Sequence, residues 1–297
     1  MSEKYEFPVA EVTILVLFIA SSVFAVYIAS IALAVQPSVA PSTTTSGLVY
    51  VVYYLAAAIV FSALLIFLGR RFKLNFLKWL FVAMIGLMVF YIWNYLGLVI
   101  ADTYAEYYTI IIAAPVIIVL LLIFENEWYV VDVAGFFLCS GMSFVLGIIL
   151  GVWAAVIFLA LFAIYDYISV YKTKHMIGLA KIALDRDLPM LFIFPTDFSK
   201  GVGKIEISED GISDHRAMAL GFGDVAFPGI MVVASAMYGM RIGHFVPFLL
   251  FPLFGGIAGM LFLVLGNVKK PAPGLPFLNS GAIVGFLISY IIFSIIL

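Results

Sequence analysis

Charge is what this sequence has least of. Only 11% of its 297 residues are Asp, Glu, Lys or Arg, against 65% hydrophobic ones. The mean hydropathy of +1.22 excludes an ordinary soluble globule. The formal net charge is -2 and no basic stripe runs along the chain, so there is no phosphate-following surface and no nucleic-acid partner is expected. Cysteine is nearly absent too. The single Cys139 cannot form an intrachain disulfide, and in its apolar run it reads as a small buried hydrophobe. The three histidines, His175, His215 and His244, lack the spacing of a metal site. No cofactor motif occurs, and no Ser-His pair within a span suggests serine chemistry. Neither metal nor cofactor is expected. A cleavable signal is not expected either: Met1 to Glu11 carries three acids against one lysine, and the apolar run Val12 to Val35 outlasts the about 7–15 residues of a signal core. A retained first span is expected.

What the chain does have is long apolar runs. Runs of about 20 residues can cross the hydrocarbon layer as helices, and nine are expected, near 11–35, 48–69, 76–100, 107–124, 131–149, 152–172, 217–240, 245–266 and 277–297. The fifth and sixth are divided only by Gly147 to Gly151, room for a tight turn. The fold class is thus an all-α polytopic membrane protein, one membrane domain over 1–297. Spans one to six fill 1–172, a loop occupies 173–216 and spans seven to nine fill 217–297. In that arrangement 14 of the 15 Lys and Arg fall on one side, leaving only Arg241 opposite. The positive-inside rule makes that side cytoplasmic, with the N-terminus and the 173–216 loop inside and the C-terminus outside.

Smaller features read mostly as packing. Glycines four apart (Gly147 and Gly151, Gly239 and Gly243, Gly255 and Gly259, Gly281 and Gly285) let helix backbones approach closely in lipid. Pro115 is expected to kink the fourth span, and Asn94 in the third needs a partner on another helix. The acids Asp102, Glu106, Glu125, Glu127 and Asp132 sit at span ends and read as solvated boundary. In the loop, Met176, Ile177, Leu179, Ala180, Ile182 and Ala183 follow a helical period suited to a membrane-surface face. Met190 to Phe194 is a short apolar run. Lys204-Ile205-Glu206-Ile207-Ser208 alternates with the strand period before a turn at Asp210-Gly211; it is either a hairpin that organises the loop or an edge that holds an extended peptide.

Two acids do not fit that bland pattern. Asp166, in Tyr165-Asp166-Tyr167, and Asp224, in Gly221-Phe222-Gly223-Asp224, lie well inside apolar runs. A charged Asp near the bilayer centre costs about 2.5–3.5 kcal/mol, so one retained there has a task. The two spans are consecutive and antiparallel, and each acid lies roughly 9–11 Å below their shared end at 1.5 Å per residue, so the two meet at one level. Paired carboxyls in a poorly solvated site cannot both ionise cheaply and hold one shared proton near neutral pH. The ionised partner can then take a proton from water attacking a carbonyl while the other donates one. Gly221 and Gly223, flanking Phe222, leave room for a substrate backbone, or else only pack their helix. Tyr165 and Tyr167 face other ways than Asp166 and read as packing.

With Tyr165-Asp166, Gly221-Phe222-Gly223-Asp224 and Pro273-Gly274-Leu275-Pro276, the chain resembles the presenilin and signal peptide peptidase superfamily of GxGD intramembrane aspartyl proteases, most closely its microbial presenilin homologues. The resemblance covers the whole chain and implies nine spans with Asp166 and Asp224 catalytic. It implies hydrolysis of peptide bonds within transmembrane-helix protein substrates, and a role for Pro273 to Pro276 in shaping the site. Gly274 stands where the family signature has Ala. The loop after span six is shorter than in animal presenilins, which argues against self-cleavage. Substrate contacts are expected at Gly221, Phe222, Gly223, Pro273, Gly274, Leu275 and Pro276, and along the edge formed by Lys204, Ile205, Glu206 and Ile207. The bilayer is the other partner, and a homo-oligomer is left open. The rival readings are a proton-coupled secondary transporter with an Asp relay, against which no internal duplication is visible, and a scaffold whose buried aspartates bind partner helices.

Overall fold

A long apolar run in lipid can satisfy its own backbone only as a helix, and the described spans are helical, with four short strands among the described residues that form two separate pairs. The computed structural model describes residues 9–37, 47–57, 60, 64, 75–125, 127–171, 188–195, 207–208, 211–212, 217–265 and 273–296. Its elements are α1 (Val9–Val35), α2 (Gly47–Ala57), α3 (Asn75–Ile100), α4 (Tyr104–Phe124), α5 (Trp128–Tyr171), β1 (Leu191–Pro195), β2 (Ile207–Ser208), β3 (Gly211–Ile212), β4 (Ala217–Gly221), α6 (Phe222–Arg241), α7 (Phe245–Leu265) and α8 (Leu275–Tyr290). A π-helical turn, Ile291–Ile296, extends α8. Seven of the helices are long and apolar enough to cross a membrane, and α2 is a shorter apolar helix. This is an integral, multi-pass membrane protein.

α5 is 44 residues long, which at 1.5 Å per residue is roughly 66 Å, twice the hydrocarbon thickness. It is not one rod. Gly151 takes φ 67°, ψ 174°, a left-handed region that only glycine enters cheaply, and the chain reverses there. Before the break α5 runs parallel to α6: Gly135 lies against Phe222, Ser143 reaches Ala226, and Gly147 lies against Val233. After it the direction is opposite, since Phe158 and Phe162 both meet the Phe227 ring while Asp166 comes level with Asp224.

α6 is the centre of the bundle, 78% buried and packed on α1, both halves of α5, α7 and α8. α4, only 11% buried, lies at the periphery. It starts from a capping box in which Thr103 and Glu106 satisfy each other's end of the helix, so Glu106 is more than a solvated boundary. Asn94 finds the interhelical partner expected of it: Tyr107 Oη donates to Asn94 Oδ1 at 2.7 Å. Pro115 lies inside α4.

The glycine pairs divide by role. Gly255 and Gly259 on α7 meet the α8 backbone at Gly281 and Phe277, and Gly285 on α8 meets Phe251, a seam of main chain on main chain. Gly147 packs on α6 and Gly239 against Phe248, but their partners four residues on do something else: Gly151 breaks α5, and Gly243, at φ 82°, turns the chain from α6 into α7.

The largest departure from expectation is the start of the seventh span. A helix over 217–240 is expected; instead Ala217–Gly221 is strand β4, and the helix begins at Phe222. The cause is tertiary. β4 pairs antiparallel with β1, the apolar run after Pro189, in the register Leu191↔Gly221, Ile193↔Ala219, Pro195↔Ala217. Of the expected strand at 204–208, Ile207 and Ser208 form β2, paired with β3 in a separate hairpin; Lys204, Ile205 and Glu206 lie outside the described residues, as does the expected surface helix at Met176 to Ala183.

Candidate active site

The strand β4 delivers the chain straight into α6, and the junction sets Asp224 in the helix's first turn rather than two turns in. Gly221 is the N-cap, extended at φ -65°, ψ 141°, with no side chain to cap the helix. Its own N–H is turned to the Asp224 carboxyl instead. Four residues after Asp224 stands Pro228, which has no N–H to give the Asp224 carbonyl. The first turn therefore lacks one of its regular backbone hydrogen bonds beside its acid.

Asp166 sits five residues before the end of α5 at Tyr171 and is only 2% exposed. Its Oδ2 accepts the N–H of Leu275 at 3.3 Å. The neighbouring residue meets the other acid: a Cβ added at Gly274 would stand 2.8 Å from Asp224 Oδ1 and 3.2 Å from its Cγ. Two consecutive residues of Pro273-Gly274-Leu275-Pro276, where α8 begins, thus touch both carboxyls. The acids bear on each other electrostatically, and Phe227, ringed by Phe158 and Phe162, closes the apolar side. Pro273, Gly274 and Leu275 are buried and Pro276 half-buried. Lower down, Asn279 Nδ2 donates to Leu159 O at 3.1 Å, tying α8 to α5 two turns from Asp166.

Behind the junction, α5 presents one face with four residues that grip it. Asp132 Oδ1 accepts the Ile193 N–H at 3.0 Å. Gly135 leaves the space that the Phe192 and Phe222 rings fill, rings 4.5 Å apart between centroids. The Cys139 thiol donates to Phe222 O at 3.2 Å, and Ser143 Oγ to Ala226 O at 2.9 Å. Sequence reasoning passed over this face. Cys139 is buried as expected but is also a donor, and Asp132 is no solvated boundary acid. The one legible signal was the spacing of Asp132, Gly135, Cys139 and Ser143, three, four and four apart, which lines them up on a helix.

The expected substrate-contact residues separate. Gly221 and the 273–276 segment lie at the carboxyls. Phe222 turns the other way, into the core against Phe192, so it packs rather than lines the site. A Cβ at Gly223 would make only ordinary contact with the Phe227 ring, 3.4 Å away, so packing alone does not require glycine there. Ile207 belongs to the β2–β3 hairpin and not to the sheet beside Asp224. Tyr165 meets Phe162, and Tyr167 is exposed and meets Tyr171, both packing contacts. Among the described residues no three His, Cys, Asp or Glu side chains cluster to hold a metal. A pair of buried carboxyls that feel each other's charge is the equipment of general acid–base chemistry.

Comparison with known proteins points the same way. A family model described as signal-peptide peptidase, presenilin aspartyl protease matches residues 15–295. Two crystal forms of a presenilin family intramembrane aspartate protease resemble the fold. The C222 form has a TM-score of 0.68 at 24% identity, covering 95% of this chain and 99% of that one. The P2 form has a TM-score of 0.65 at 25% identity, covering 94% and 97%. A comparison with curated proteins gave no match.

Proposed function

Because the chain belongs to the signal-peptide peptidase and presenilin aspartyl protease family and is on that ground an intramembrane aspartyl protease, we propose that Asp166 and Asp224 are its catalytic pair. The observation that carries this is that adjacent residues, Gly274 and Leu275, touch both carboxyls at once within a membrane bundle. One carboxylate takes a proton from water as its oxygen bonds to the substrate's carbonyl carbon. The protonated partner gives its proton to the carbonyl oxygen as that bond forms. Collapse of the tetrahedral intermediate returns a proton to the departing nitrogen and breaks the C–N bond. No metal or cofactor is needed for that sequence. The transporter reading has no support from the family or its solved relatives.

Nine crossings follow if α2 continues through a full span and the two halves of α5 count separately at Gly151. With the basic residues inside, the β-sheet end of the bundle is cytoplasmic and the C-terminus outside. The 173–216 segment is then the cytoplasmic loop.

A helical substrate must unwind before its peptide bonds can be reached, and the freed backbone then needs partners. The edge beside Asp224 is supplied by β4. Phe222 N–H donates to Met190 O at 3.2 Å, which makes Met190↔Phe222 a hydrogen-bonded pair; by alternation Ala217, Ala219 and Gly221 aim their backbone groups away from β1. We assign substrate pairing to that outer edge in place of Lys204 to Ile207, with the scissile bond carried on to Asp224. Purified full-length protein, incubated with a membrane-embedded peptide and read by mass analysis of fragments, tests the reading. Cleavage should occur and vanish in Asp166→Asn and Asp224→Asn. Undiminished cleavage in either variant overturns it.

A further inference from the structure

We propose that Asp132 is a positioning residue that fixes the place of the cut, by holding β1 and leaving the active-site sheet only one edge on which a substrate strand can add. The inference rests on the reading that the substrate pairs with β4.

The register decides which backbone groups of β1 need partners. Met190 and Phe222 are hydrogen-bonded across the sheet, so Leu191, Ile193 and Pro195 point their backbone groups to the outer side of β1. Pro195 has no N–H to offer. The Ile193 N–H is taken by Asp132 Oδ1 at 3.0 Å. The central donor of that edge is therefore occupied by a side chain from another helix, and the next along is chemically absent. An unwound chain seeking strand partners finds β1 blocked at Ile193 and Pro195, with only Leu191 left to donate, whereas β4 offers Ala217 and Ala219 in sequence just before Gly221, whose N–H is turned to Asp224.

The same contact fixes the height of the sheet. Asp132 lies on the stripe of α5 that continues through Gly135, Cys139 and Ser143 to Phe222 and Ala226. α5 thus holds β1 at Ile193 and the start of α6 at Phe222, on either side of β4. A strand resting on β4 is referred to Asp224 through this frame. Loosening the Asp132 end lets β1 and β4 shift together relative to α5, and a strand paired with them moves in steps of two residues, because a slip of one would exchange its faces.

Three variants of the full-length protein test this: Asp132→Asn, Asp132→Leu and Ile193→Pro, each assayed for fragment masses, kcat, KM and melting temperature, with Asp166→Asn as the dead control. The Asn amide oxygen still accepts from Ile193, so Asp132→Asn should keep one main product. Asp132→Leu should raise KM about tenfold, the loss of roughly one hydrogen bond, and add fragments two residues longer and shorter. Ile193→Pro removes the donor itself, so adding Asp132→Leu to it should change the fragment pattern no further. A wild-type fragment pattern and KM in Asp132→Leu, with only a lower melting temperature, overturns the proposal, as does Asp132→Asn behaving like Asp132→Leu. Fragments from Asp166→Asn would instead overturn the protease assignment itself, so the two failures are told apart.

Discussion

At the scale of single residues, the carboxyls and the glycine between them set what can be changed. Acid–base participation is worth roughly 10²–10⁴-fold in rate, so Asp166→Asn and Asp224→Asn should each lower kcat by at least about 10²-fold while eluting as the parent does. Because catalysis requires one group ionised and the other protonated, kcat/KM should trace a bell against pH whose two limbs belong to the pair and not to either acid alone. A pH titration of a fluorogenic membrane peptide checks this, and a rate that only climbs or only falls would refute the shared-proton mechanism. Gly274 gives a sharper case. The atom that a new Cβ would crowd, 2.8 Å away, is the free end of the Asp224 side chain, which can swing aside at little cost to folding but, before a larger group, not without leaving its place in the pair. Ala is the residue of the family signature here and should be tolerated, whereas the larger Gly274→Val should melt close to the parent and lose about tenfold in kcat. A normal rate in Gly274→Val would show that the 274 segment moves away before chemistry.

At the scale of elements, the sheet separates two kinds of proline. Ala219 directs its N–H outward and Leu220 directs its N–H to β1. Proline is tolerated where the N–H faces away from the ladder, so Ala219→Pro should leave the melting temperature nearly unchanged and raise KM about tenfold by removing a donor for the substrate. Leu220→Pro, which breaks the β1–β4 pairing, should lower both stability and activity. Equal behaviour of the two would argue against substrate addition to β4. In the α7–α8 seam, a side chain at Gly255 would meet the Gly281 backbone, which cannot swing aside. Gly255→Val should cost about 1–3 kcal/mol, read as a fall in melting temperature, and also impair cleavage by displacing the start of α8.

Which elements could be foreseen follows from what decides them. The helices came from composition and length, because lipid leaves the backbone no alternative, and even the division of α5 was visible at Gly147 to Gly151. Asp166 and Asp224 stood out because acids are costly there. β4 did not: Ala217-Met218-Ala219-Leu220 is apolar without alternation and runs into a true helix, and its strand state is conferred by β1, more than twenty residues earlier in the chain. Asp132 was misread for a similar reason. Its partner is an N–H 61 residues away, and no local pattern announces that a strand will arrive there.

At the scale of the whole molecule, the orientation can be tested by chemistry that the sequence leaves quiet. The single cysteine is buried, so labelling of Ser42→Cys or Ser199→Cys by an impermeant maleimide on intact cells has little background. Ser42→Cys should react from outside and Ser199→Cys only after the cells are opened; the reverse pattern would invert the assigned topology.

The acids also do not sit midway through the bundle. Asp166 is five residues from the end of its helix and Asp224 is in the first turn of its own. On the proposed assignment of the pair, a cut made there is lopsided. One fragment keeps nearly a complete crossing and stays anchored in the lipid, whereas the other leaves with a greasy stub of only a few side chains and can be shed into water. Turnover would then be paced by how quickly the anchored remnant drifts out sideways, while the soluble piece departs at once.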